Sequence, residues 1–175
     1  EAVDRGLDPM KTLVAVVANK NSKGSVVLAA SPQLKKLYGI KTGSRLFQIP
    51  ENNPDIHIVE SRMALYIKMS SKIVQILENF APYEAIDVYS IDEAWICTDG
   101  TEKLFGDRWE VARKIRDTIY EETNLPSCVG IGPNKFLAKV ILDIEAKRTG
   151  IAECQYRDIP QTLRPQNVEK IWGIG

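Results

Sequence analysis

The sequence is poor in the residues that announce many chemistries. Its 175 residues include one histidine, His57, and three cysteines, Cys97, Cys128 and Cys154. The thiols are odd in number and stand at no metal-ligand spacing, which excludes a disulfide framework or zinc cluster and reads as reduced, cytosolic cysteine. His57 alternates with Ile56 and Ile58 and reads as strand surface, a poor general base. Net charge is absent too: 23 basic residues balance 23 acidic ones. No overall field therefore draws in nucleic acid, a membrane or an acidic partner, and any such contact must come from local patches. No apolar run approaches the roughly 18 residues of a membrane span. The N-terminus lacks a signal-peptide profile, and no internal repeat or low-complexity segment appears. A soluble, cytoplasmic protein that makes no membrane contact is the expectation.

What the sequence does contain is an acidic pair in an apolar setting. Asp92 and Glu93 sit inside a strand-like run, residues 85–98, among Ile86, Val88, Tyr89, Ile91, Ala94, Trp95 and Ile96. Carboxylates are depleted in strands, and an ionised one in an apolar neighbourhood is costly unless paired or bound to metal. A sharp turn between two buried strands, presenting both carboxylates to a divalent cation, accounts for the pattern and suits phosphoryl or nucleotidyl transfer. Alone, an Asp-Glu pair at a hairpin tip is more often a solvated turn than a site. Its surroundings must decide.

Those surroundings alternate strand and helix signals. Residues 13–18 (LVAVVA) and 25–30 (SVVLAA) read as a hairpin with a longer loop. Ser31 and Pro32 are N-cap and first residue of a short basic helix that Gly39 stops. Residues 55–59 alternate as a strand. Residues 60–80 carry Met63, Tyr66, Ile67, Ile73, Ile76, Leu77 and Phe80 at helical spacing, up to Pro82. A helix over about 107–122 buries Val111, Ala112, Ile115 and Ile119. A strand over 127–131 leads into a helix opened by Gly132-Pro133 that carries Phe136, Leu137, Val140 and Ile141. Residues 151–156 read as a last strand and 164–172 as a last helix. The expected fold class is α+β, a mainly antiparallel sheet with helices on one face. Trp95 is expected in the core where the hairpin meets its helices, and Asp143 is expected to pair locally rather than bind metal.

Three segments, YSIDEAW (89–95), GIGPNKFLAK (130–139) and SVVLAASPQLKKLYGIKTG (25–43), together resemble the Y-family, translesion DNA polymerases, in their UmuC-like, ImpB/MucB/SamB branch. Either of the first two alone would be moderate evidence; the combination is specific. The resemblance covers nearly the whole chain. It implies small fingers over residues 1–59, a palm carrying the acidic hairpin over 60–159, and the start of a helix-hairpin-helix thumb over 160–175.

Further expectations follow from the resemblance. Asp92 would ligate both metals of a two-Mg²⁺ site and Glu93 the one beside the primer hydroxyl. Lys139, on the face shared with Lys135, would neutralise the incoming triphosphate. A second triphosphate lysine in the fingers is Lys35 when aligned forward from Ser31 and Lys36 when aligned backward from Gly39, and both registers stay open. Partners would be primer-template DNA, dNTP and a replication processivity factor, in the SOS response to DNA damage. The family's first catalytic Asp and its aromatic pair would precede Glu1, and the rest of the thumb and the little finger would follow Gly175. This stretch alone is therefore expected to bind metal weakly and not to polymerise. Two other classes compete with this reading. A nucleotidyl cyclase lacks support, since no paired glycines precede the Asp-Glu pair. A polymerase-derived interaction module without catalysis is the alternative reading.

Overall fold

The computed structural model describes residues 1–174. The chain forms two compact units, Glu1–Leu65 and Tyr66–Gly175. In the first unit, β1 (Leu13–Val17) is the middle strand of three, in the order β2 (Val27–Ala30), β1, β3 (Ile56–Glu60). Its unbroken apolar run suits a strand covered on both faces. Ala15 and Val17 enter one cluster with Val27, Leu34, Ile40, Ile49 and Ile56, while Val14 enters another with Ala2 and Val59. The expected β1–β2 hairpin forms, with Ala15 opposite Ala30 and a bulge at Val16/Val17. Between β2 and β3 lies α1 (Pro32–Tyr38). The Ser31 hydroxyl caps it by accepting from the Leu34 amide at 3.3 Å, and Gly39 closes it in the left-handed region at φ 67°. Ser31 also accepts from the Val14 amide at 3.1 Å, which fastens the helix start to β1. His57, half-buried in β3, pairs with Val14.

The second unit is built on two helices flanking a hairpin. In α2 (Met63–Leu77), Ile76 and Leu77, together with Phe80 beyond its end, pack on Ile86 of β4 (Ile86–Val88). The hairpin's second strand is β5 (Ala94–Ile96). After the short α3 (Glu102–Phe105) comes α4 (Arg108–Thr123), whose predicted face of Val111, Ala112, Ile115 and Ile119 is buried. Each of the larger three contributes on the order of 1.5–3 kcal/mol by leaving water. The Asp107 carboxylate caps α4 by accepting from the Trp109 and Glu110 amides. Next, β6 (Val129–Ile131) leads to α5 (Lys135–Ile141), a π-helical stretch Leu142–Ala146, a helical turn Lys147–Thr149 and β7 (Ile151–Glu153). Leu137, Ile141, Ala146, Ala152 and Cys154 form the core of this part.

The fold class is α+β as expected, but the strands are not mainly antiparallel. Among the described residues they form three small sheets in which β1–β2 and β4–β5 are antiparallel, whereas β1–β3 and β6–β7 are parallel. The reason lies in the connections. The parallel pair β6–β7 is joined through the helical stretch 135–149, a crossover that returns the chain in the same direction. By contrast, β3 comes back beside β1 only after β2 and α1, and so runs with β1 and against β2. Other elements differ in extent. The stripe of α2 is buried only towards its C-terminal end, since Met63 is 51% and Ile67 55% exposed. The last strand ends at Glu153, because a capping box over Gln155–Asp158 turns the chain into a 3-10 turn. The helix expected over 164–172 is reduced to the single 3-10 turn Val168–Lys170. That segment has little apolar face to bury, with Val168 63% exposed, and short helices need such packing to persist.

Candidate active site

The hairpin places the acidic pair by backbone bonds alone. Ile86 pairs with Ile96, Asp87 with Trp95 and Val88 with Ala94. Beyond them the Tyr89 and Ser90 amides both donate to the Glu93 carbonyl, at 3.0 and 3.1 Å, and close a tight loop over residues 89–93. Asp92 stands exposed at the tip, and its Oδ1 accepts from the Ser90 hydroxyl at 2.9 Å. Glu93 faces the opposite way in chemistry, engaged by a cation.

That cation is Lys139. Its side chain is only 8% exposed, and Nζ lies 2.5 Å from Glu93 Oε1 and 3.2 Å from Asp143 Oδ2. Lys147 approaches the other Asp143 oxygen at 2.6 Å. The result is an alternating row of Glu93, Lys139, Asp143 and Lys147. Burial by itself would lower the Lys139 pKa, but hydrogen bonds to Glu93 and Asp143 outweigh it and raise the value above the ordinary lysine range.

The lysine is aimed by a helix pressed on a strand. A Cβ on Gly130 would stand 2.1 Å from the Ala138 carbonyl oxygen, and one on Gly132 would stand 2.6 Å from the Ala138 amide nitrogen. Only glycine at both positions lets the α5 backbone lie this close to β6. Asn134 caps α5 through its side chain, which accepts from the Leu137 amide at 2.8 Å. The segment GIGPNKFLAK is thus a device for close approach, cap and cation, in that order along the chain.

Lys135, one turn earlier, bonds Asp87 in β4 and lies 5.6 Å from the Trp95 ring centroid. Both lysines therefore face the hairpin, as their spacing implied. Trp95 is not a core residue. It is half-buried in an aromatic group with Tyr89 at 5.0 Å and Trp172 at 6.1 Å, and its indole N–H donates to the Lys135 carbonyl at 3.1 Å. A buried indole needs a partner for that N–H, and this one finds it at the group's edge rather than in the aliphatic core. Lys35 and Lys36 lie in the first unit, both exposed in the last turn of α1, so exposure does not choose between them.

Asp143 pairs locally, as its sequence position suggested. Lys147 and the π-helical turn were not foreseen. The spacing of Lys139, Asp143 and Lys147 by four carries the signal for the charge row. Nothing in composition marks a π-turn, although such turns are frequent at functional sites. Asp92 and Glu93 offer hard oxygen donors, the kind Mg²⁺ takes as one or two carboxylates completed by substrate phosphates. Among the described residues no group of three or more His, Cys, Asp or Glu side chains gathers to hold a metal by itself. The donor chemistry therefore fits a cation shared with a phosphorylated substrate.

Comparison with known proteins agrees with this geometry. The impB/mucB/samB family model matches residues 1–143. The chain belongs to this family. It is 46% identical over 177 aligned positions to the putative UV-damage repair protein UvrX of Bacillus subtilis, covering 99% of this chain and 41% of that protein. It is 35% identical to DNA polymerase IV of Moorella thermoacetica, covering 100% of this chain and 42% of that protein. Among solved structures, DinB from Sulfolobus solfataricus superposes with a TM-score of 0.79 at 29% identity, over 99% of this chain and 50% of that one. The Y-family resemblance read from the three motifs is thus borne out, and with it the α+β polymerase fold. The chain spans about two fifths of the length of these two curated relatives. Among the described residues no helix is long and apolar enough to cross a membrane.

Proposed function

We propose that the protein containing this chain is a translesion DNA polymerase, and that the 89–93 loop carries its nucleotidyl-transfer chemistry. The observation that carries this is the exposed Asp92 beside a Glu93 whose counter-charge is supplied by α5. Two adjacent carboxylates with a lysine one side chain away form the charge pattern of a site that handles a cation and a triphosphate together. The names of the relatives, a DNA polymerase IV and a UV-damage repair protein, support the same reading.

In this reading Asp92 and Glu93 hold Mg²⁺, which when bound would activate a primer hydroxyl and neutralise charge on the leaving pyrophosphate. The chain's own contributions are positional. Ser90 steadies the Asp92 rotamer, the amides of Tyr89 and Ser90 fix the loop, and Lys139 pairs with Glu93 in the absence of the cation. Lys147, 61% exposed on the outer side of Asp143, is the cation of the row most open to an incoming phosphate, while Lys139 is nearly enclosed. Lys35 in the fingers and Lys139 in the palm are the two lysines assigned to the triphosphate in the same proposal. Residues 1–59, 60–159 and 160–175 are assigned to fingers, palm and the start of the thumb. Primer-template DNA and dNTP are the substrates, the processivity factor a partner, the cytoplasm the compartment and the SOS response the setting.

Primer extension on an undamaged and a lesion-bearing template tests this reading. The full-length protein should extend both in Mg²⁺, and Asp92→Ala or Glu93→Ala should abolish extension with the circular dichroism spectrum unchanged. Undiminished extension by either variant would overturn the assignment.

A further inference from the structure

We propose that Lys139 is the resident counter-ion of the Glu93 carboxylate, and that it yields Glu93 to a divalent cation by withdrawing onto Asp143. This deepens the nucleotidyl-transfer reading and rests on it for the identity of the cation.

The arrangement has the parts such an exchange needs. The ammonium already stands within reach of both carboxylates, 2.5 Å from Glu93 and 3.2 Å from Asp143, so transfer requires a small rotation and no backbone movement. Its stem cannot retreat by shifting α5, because Gly130 and Gly132 hold that helix against β6 and Leu137, Val140 and Ile141 are buried around it. Asp143 is itself steadied by Lys147 at 2.6 Å, so it offers a fixed second post. Charge favours each end state. Without a cation, Glu93 and Asp143 face Lys139 and Lys147, two charges of each sign. With a cation on Glu93, the divalent charge replaces the ammonium there, and Asp143 keeps both lysines. An ammonium left on Glu93 would repel the incoming ion at close range. A buried lysine with only one carboxylate would have nowhere to go when that carboxylate is taken, and the expense of an unpaired buried charge would oppose binding.

The test is a double-mutant cycle on urea unfolding of the full-length protein, with Lys139→Met, Glu93→Gln and the double variant, in chelator and then in excess Mg²⁺. In chelator the coupling between Lys139 and Glu93 should be about tenfold in the unfolding equilibrium constant. Excess Mg²⁺ should reduce it to about twofold or less. In an Asp143→Asn background the coupling should survive Mg²⁺, since the second post is gone. The Lys139 Nζ NMR resonance of the unsubstituted full-length protein gives an independent reading should Lys139→Met fail to fold. It should shift on addition of Mg²⁺ and stand still in Glu93→Gln. Absence of coupling in chelator, coupling indifferent to Mg²⁺, or a stationary Nζ resonance would each overturn the exchange. Loss of polymerisation in the full protein is a separate observation, so a failed exchange and a failed polymerase assignment are told apart.

Discussion

At the scale of residues, what singles out this hairpin is the balance around one lysine. The Lys139 pKa is raised because Glu93 and Asp143 bind the ammonium more strongly than burial disfavours it. A folded value above the unfolded one, near 10.4, means stabilisation that is fully present at neutral pH and lost as pH rises through the folded value. Alkaline unfolding should therefore separate the native chain from Lys139→Met: the native advantage, about 1–3 kcal/mol at pH 7, should shrink above about pH 10. An advantage independent of pH would mean that packing of the stem, not charge, holds the residue. Gly130 makes a second expectation. Its missing Cβ leaves room for a backbone carbonyl, which cannot swing aside as a side chain would. Gly130→Ala should cost about 1–3 kcal/mol or more, read from the urea midpoint at constant m-value.

At the scale of elements, the start of α4 is tied to β7 by Glu153. Its carboxylate accepts from Arg108 Nε at 2.6 Å, from Trp109 Nε1 at 2.5 Å and from Gln155 Nε2 at 2.7 Å. Burial would raise its pKa, yet these bonds outweigh it and lower the value. A depressed carboxylate stabilises the fold above the unfolded value, near 4.3, and that contribution is lost as pH falls through the folded value. Glu153→Gln should cost about 1–3 kcal/mol at pH 7 and flatten the acid limb of the stability profile. Urea titrations from neutral to acid pH check both. Much at this scale was legible in the sequence. Ser31, Pro32 and Gly39 gave the bounds of α1, and the 3.6-residue spacing of Val111, Ala112, Ile115 and Ile119 gave the buried face of α4. Strand sense was not legible, because alternation within a strand says nothing about its partner's direction. Nor was the exposure of Met63 and Ile67, since periodicity marks a stripe but not how much of it finds a neighbour.

At the scale of the whole molecule, the acidic pair could be read from the sequence only in company. Asp92 and Glu93 were visible as carboxylates misplaced in an apolar run, and the paired lysines of GIGPNKFLAK as a helix face. That one of those lysines is nearly enclosed and bonded to Glu93 depended on a helix lying against a strand at glycine distance, which no local pattern encodes. Net neutrality bears on DNA. With no surplus cation to release counterions, the 175-residue chain should hold primer-template no tighter than non-specific binders, whose dissociation constants run about 10⁻⁴–10⁻⁶ M at physiological salt. Fluorescence anisotropy measures this, and a dissociation constant in the nanomolar range would show that a local patch suffices. The placement of nucleotidyl transfer on the 89–93 loop is tested most sharply by the single-turnover rate of nucleotide incorporation by the full-length protein with saturating primer-template, dNTP and Mg²⁺. Asp92→Asn should slow that step by at least about two to three orders of magnitude while leaving the affinity for primer-template unchanged. A rate within a few-fold of the native protein would contradict the placement of the chemistry on the 89–93 loop.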